Sequence, residues 1–91
     1  MKYPKEYLEE IKTRLKVSNV VSKTVNLKKR GKEFIGLSPF NLEKTPSFTV
    51  NDEKGFYHCF STAEHGNIFD FVMKTQNLKF GEAVKYLANM A

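Results

Sequence analysis

Apolar positions change their spacing along this chain, and each change marks a different kind of element. Between Tyr3 and Leu15 the apolar residues Leu8, Ile11 and Leu15 recur at helical intervals, which predicts a helix with one narrow buried stripe. Pro4 suits its first turn, Glu6, Glu9 and Glu10 lie early, and Lys12, Arg14 and Lys16 lie late, as the helix dipole favours. Ser18 is placed to cap a short second turn carrying Val20 and Val21. The period then drops to two. Val25 and Leu27 alternate with Asn26 and Lys28, Arg30-Gly31-Lys32 forms a turn, and Glu33 to Leu37 returns as a second strand. After a break at Ser38-Pro39-Phe40, Phe48 and Val50 alternate with Ser47 and Thr49. A turn over Asn51 to Gly55 then leads into a fourth strand, Phe56 to Phe60. These segments read as an antiparallel meander of about four strands.

The last third returns to helical spacing. Asn67 caps a helix with Ile68, Phe71, Val72 and Thr75 on one face and Phe69 and Met73 on a flank, an arc broad enough to pack on two sides. Phe80, Val84, Leu87, Ala88 and Ala91 define a final amphipathic helix. The fold class is therefore α+β: a small antiparallel sheet flanked by N-terminal and C-terminal helices, one domain over 1–91.

Composition narrows the possibilities. Ninety-one residues bury a modest core, and eight Phe with four Tyr supply most of the large apolar surface. No apolar run approaches the length of a membrane span, and the acidic first turn is unlike a secretory signal, so no membrane partner is expected. The single Cys59 excludes an internal disulfide and points to a reducing, cytoplasmic setting. Of the net charge of +5, the segment from Lys12 to Lys32 holds eight basic residues and no acidic one. That block suits a polyanion such as nucleic acid, and it equally suits a solvated face; charge alone leaves both open. No phosphate loop, paired-carboxylate motif or Ser/His/Asp set is visible, so this chain carries no catalytic centre of its own.

The densest chemistry lies in Ser38-Pro-Phe-Asn-Leu-Glu-Lys-Thr-Pro-Ser-Phe48, followed by Phe56-Tyr-His-Cys-Phe60 and His65-Gly-Asn67. From about Val17 to Ala88 the chain resembles the N-terminal zinc-binding (CHC2) domain of bacterial DNA primases of the DnaG type. Their pattern is Cys-Pro-Phe-His-x-Glu-Lys-Thr-Pro-Ser-Phe, then Phe-x-Cys-Phe-x-Cys, then Gly-Asn or Gly-Asp opening a helix. The resemblance implies a zinc-ribbon-like template-recognition domain that holds single-stranded DNA against a separate polymerase domain during RNA primer synthesis. It further implies nucleotidyl transfer by that polymerase domain with magnesium, the replicative DNA helicase as a partner, and this chain as the N-terminal fragment of a longer, cytoplasmic enzyme. The alternative is a protein-docking module for the polymerase domain or helicase with weak DNA binding.

The family's four zinc ligands fall here on Ser38, Asn41, Cys59 and Thr62, so three of the four are replaced. Zinc needs a tetrahedral set of Cys and His, and hydroxyls and amides are poor substitutes. A site rebuilt from Cys59 and His65 would still lack two ligands, and His58, next to Cys59 on a strand, should face the other way. No metal cofactor is therefore expected; the four positions are expected to form a polar cluster. Phe34, Phe40, Phe48, Phe56, Phe60, Phe69 and Phe71 are left to stabilise the fold. Lys28, Lys32, Lys44 and Lys54 match positions that are basic in the family and implicated in holding template, and Arg30 of the same turn joins them. Tyr57, opposite in direction to Phe56, is the candidate stacking platform, with Phe48 and Phe56 assigned mainly to the core.

Overall fold

A computed structural model describes residues 3–40, 42 and 44–91. Helices α1 (Lys5–Arg14) and α2 (Val17–Val21) come first. Strands β1 (Lys28–Arg30), β2 (Glu33–Gly36), β3 (Phe48–Asn51), β4 (Phe56–Cys59) and β5 (His65–Gly66) follow, then helices α3 (Ile68–Gln76) and α4 (Phe80–Met90). The five strands lie in chain order in one antiparallel sheet. The expected meander is present, with β5 added at its end. A two-residue strand carries too little alternation to be read from sequence.

The apolar stripe of α1 turns inward as expected, with Ile11 and Leu15 buried. β1 begins later than the Val25–Leu27 pattern predicts. The Val25 N–H donates to Val21 O at 2.9 Å and the Thr24 N–H donates to the same carbonyl at 3.0 Å, closing α2 and leaving Val25 outside the ladder. Ser18 is not the cap of α2, which starts after Lys16. Instead both Ser18 donors meet Asp52: its N–H reaches Oδ1 at 2.8 Å and its hydroxyl reaches Oδ2 at 2.6 Å. A carboxylate from the β3–β4 turn thus satisfies an orphan donor of the first turn of α2.

Asn67 does cap α3: its side chain accepts from the Asp70 N–H at 3.1 Å, while the Asn67 N–H donates to Asp70 Oδ2 at 3.0 Å. The reciprocal bonds fix where the sheet ends and the helix starts. Helix α4 opens similarly, with the Lys79 N–H donating to Glu82 Oε1 at 2.8 Å.

Register decides which side chains enter the core. Phe34 pairs with Val50, Val50 with Tyr57 and Tyr57 with Gly66; Gly36 pairs with Phe48 and Phe48 with Cys59. These rows form the inner face, covered by α2 and α3, and Phe48, Val50, Tyr57 and Cys59 are fully buried there. Phe40, Phe48, Tyr57 and Phe71 make a ring cluster, with Phe48 and Tyr57 stacked at 5.5 Å and Tyr57 edge-on to Phe71 at 5.5 Å. The aromatic share of the core thus differs from expectation. Phe48, Phe69 and Phe71 are buried and Phe34 and Phe40 pack partly, but Phe56 and Phe60 face solvent and Tyr57 takes an inner place.

Candidate nucleic-acid interface

The outer face of the sheet follows from the same register. One row across the strands reads Lys28, Ile35, Thr49, His58 and His65; the next reads Arg30, Glu33, Asn51 and Phe56. Lys28 and Arg30 therefore project on one side of β1, both exposed, while Lys29 points to the other side and lies 5.9 Å from the centre of the Phe34 ring. Lys32 sits in the β1–β2 turn, where Gly31 takes φ +64°. Lys54 sits in the β3–β4 turn, its N–H donating to Asn51 Oδ1 at 2.9 Å. Both hairpin turns are at the same end of the sheet. Lys44, exposed in the β2–β3 loop, is at the opposite end. Among the described residues no ion pair involves Lys28, Arg30, Lys32, Lys44 or Lys54. Their charges stay available to an incoming polyanion.

Tyr57 does not join them. Its ring is 0% exposed and stacked in the core, so it offers no platform to a base. Burial pushes its hydroxyl above the ordinary value, against the opposing pull of the Lys74 ammonium. Lys74 is itself held above its ordinary value by Glu64, 2.8 Å away. The aromatic positions on the outer face are Phe56, 55% exposed, and Phe60, 68% exposed, with His58 between them and edge-on to Phe60 at 4.3 Å. His65 stands across from His58 on β5, their rings 6.2 Å apart. Alternate residues on a strand are about 6.6 Å apart. Phe56, His58 and Phe60, at alternate positions, thus share the outer face as one aromatic patch, in which the His58 and Phe60 rings close to 4.3 Å. The signal for this phase is present in the sequence: if Cys59 faces Ser38 across the sheet end, Tyr57 goes inward and Phe56, His58 and Phe60 go outward.

At the sheet end away from the hairpin turns lie Ser38, Cys59 and Thr62, three of the positions expected from sequence to match zinc ligands. The Cys59 thiol donates to Ser38 Oγ at 3.0 Å, and Ser38 Oγ also accepts from the Phe40 N–H at 3.0 Å. Ser61 Oγ is 3.3 Å from Cys59 Sγ and accepts from the Ser47 hydroxyl at 3.0 Å. Thr62 is half-buried beside them, while Asn41 lies outside the described residues. Burial alone would raise the Cys59 thiol, but hydrogen bonds with Ser38, Ser61 and Thr62 outweigh it and bring the value down to about 7. This donor set does not suit zinc. It holds one thiol, and ligand atoms on a shared tetrahedral zinc stand about 3.5 Å apart, whereas Cys59 and Ser38 are bonded directly to each other. Among the described residues no group of three or more His, Cys, Asp or Glu side chains is placed to hold a metal ion. His58 and Cys59 point to opposite faces, as their adjacency on β4 requires.

With this geometry in view, the likenesses are specific. The sequence pattern described as the CHC2 zinc finger matches residues 3–91. The DNA primase of Escherichia coli (strain K12) is 46% identical over 87 residues, covering 96% of this chain and 15% of that protein. The DNA primase of Clostridium acetobutylicum is 46% identical over 84 residues, covering 92% of this chain and 14% of that protein. Among solved structures, the crystal structure of the Aquifex aeolicus primase, comprising zinc-binding and RNA polymerase domains, superposes with a TM-score of 0.86. It is 28% identical and covers 92% of this chain and 21% of that one. The chain thus spans about one-seventh of the length of the relatives it matches.

Proposed function

The chain belongs to the CHC2 zinc finger family, and from that premise we propose that it is the template-recognition domain at the amino-terminal end of a longer DNA primase. It binds single-stranded DNA on the outer face of its sheet and presents it to a separate polymerase domain that makes RNA primers. The observation that carries this reading is the composition of that face: Lys28 and Arg30 at one edge, exposed Phe56 and Phe60 three strands away. Lysines and arginines supply phosphate contacts of any sequence, and exposed rings supply stacking worth about 1–3 kcal/mol per base.

The two halves of the face are separated by three strand spacings, about 14 Å. A phosphate cannot reach Lys28 while its own base lies on Phe56, so the strand crosses the sheet rather than running along one β-strand. Lys32 and Lys54 extend the charge at the hairpin end, and Lys44 at the other.

Titration of short fluorescent single strands against salt tests the reading. With Lys28, Arg30, Lys32, Lys44 and Lys54 each neutralising a phosphate, log affinity falls with log salt at a slope of about −3.5, and replacing Lys28 and Lys32 with Ala flattens it to about −2.1. Absence of oligonucleotide binding at low salt overturns it. That outcome would favour docking to the polymerase domain or helicase, for which a groove of about 500 Å³ lined by Val25, Ile35, Leu37, Pro39 and Pro46 offers an apolar surface.

A further inference from the structure

The family is named for a metal that this chain's donors do not suit, yet the turns that would hold it are drawn together. We propose that a thiol–hydroxyl chain, Ser38–Cys59–Ser61–Ser47, clasps these turns in place of a metal ion, making this a metal-independent member of the family. The chain links four places in order: the end of β2 through Ser38, the end of β4 through Cys59, the β4–β5 turn through Ser61, and the residue before β3 through Ser47. Its three links measure 3.0, 3.3 and 3.0 Å. A metal ion would have to separate Ser38 from Cys59 to coordinate both. Here the sulfur and oxygen satisfy each other, and Ser38 Oγ also takes the Phe40 N–H.

Two further sets of contacts hold the same turns. Backbone bonds close the β4–β5 turn, the Cys59 N–H donating to Glu64 O at 2.7 Å and the Ala63 N–H to Cys59 O at 2.8 Å, and tie it to the start of β3, the Phe60 N–H donating to Ser47 O at 2.9 Å. Ala63 adopts φ +65° to make that closure. On the other side, the Phe40 ring lies against Phe48, Tyr57 and Phe71 at 5.9–6.3 Å between centroids, seating the β2–β3 loop on the core. The turns thus have three sets of attachments that involve no metal ion.

The 91-residue chain, expressed with zinc in the medium, is assayed for bound metal and melted with and without EDTA or added zinc chloride. Metal content near zero, with a melting temperature unmoved by either addition, is expected; near one zinc per chain, or a fall in melting temperature on chelation, overturns the proposal. Variants test the clasp itself. Ser38→Ala and Cys59→Ala each lower the melting temperature by at least about 4–8 °C, the size of one lost hydrogen bond in a domain this small, since each side chain holds two. The double variant falls by clearly less than the sum, because the two residues share one bond. Cys59→Ser, which keeps a donor, retains most of the stability. Strict additivity, or a collapse of Cys59→Ser to the level of Cys59→Ala, overturns the clasp.

Discussion

Phe56 and Tyr57 are neighbours with opposite fates, and the difference is the parity of β4. Tyr57 shares its face with Cys59, and both are sealed against Phe48 and Val50. Exchanging Tyr57 for Ala removes a stacked core ring and should cost about 3–5 kcal/mol in urea unfolding. Phe56→Ala should leave the urea midpoint within about 0.5 kcal/mol of the parent and weaken binding to a short single strand about tenfold, one stacking platform's worth. Equal loss of stability from the two variants would contradict the assignment of faces. Cys59 adds a pH dependence whose sign is fixed. Its value is lowered from 9.0 to about 7 in the folded chain, so the folded state binds fewer protons than the unfolded state between those values. The resulting stabilisation is present above the unfolded value and is lost as pH falls through about 7. Unfolding midpoints should therefore drop between pH 9 and pH 7 by the equivalent of about 2–3 kcal/mol. Cys59→Ser should flatten that dependence, and a midpoint that rises on acidification would refute it.

At the scale of elements, the helices and hairpins were legible from sequence for reasons that their contacts make plain. The Leu8–Ile11–Leu15 stripe, the Asn67 cap and the Gly31 turn are local signals, each answered by the residue's own neighbours. What sequence missed is tertiary. Ser18 has the chemistry of a cap, but its hydroxyl is committed to Asp52, thirty-four residues away. Asp52 looks like an ordinary turn residue until that contact is known. Asp52→Ala should cost about 1.5–3 kcal/mol, since two charge-assisted bonds are lost and the Ser18 N–H is left without its partner. Chemical denaturation with an unchanged m-value reads that loss, and a change below about 0.5 kcal/mol would show the contact to be incidental. Gly66 is a second such element boundary. A Cβ there would stand 2.6 Å from Asp70 Cβ, displacing the carboxylate that completes the Asn67 capping box. Gly66→Ala should lower stability by about 1–3 kcal/mol, and the amide of Asn67 should lose hydrogen-exchange protection.

For the whole molecule, charge position mattered more than charge count. The basic block from Lys12 to Lys32 was readable as a sum, but only the sheet's topology sorts it, putting Lys28 and Arg30 on the outer face and Lys29 on the other. It also places Lys32 and Lys54 at the hairpin end and Lys44 at the other, a separation that a linear sequence conceals. A strand long enough to touch both ends feels every lysine. As oligonucleotides are shortened, the affinity penalty of either Lys32→Ala or Lys44→Ala should vanish before the other; penalties that persist together at every length would place the two lysines on one contact. The candidate site was thus half legible. Its cations stood out by residue type, while its aromatic half was masked because a ring reads as core until the phase of its strand is known.

The open margin of the sheet has a separate importance. β1 is three residues long, Lys28-Lys29-Arg30, and exposed throughout, and among the described residues no strand pairs with its outer side. Such a margin is a template on which a second copy can add a strand, and like charges crowded along it oppose that addition. The cations read above as phosphate contacts therefore also act as gatekeepers against self-association. Removing all three together would give a chain that folds but assembles edge to edge, visible as growing light scattering at concentrations where the parent stays clear.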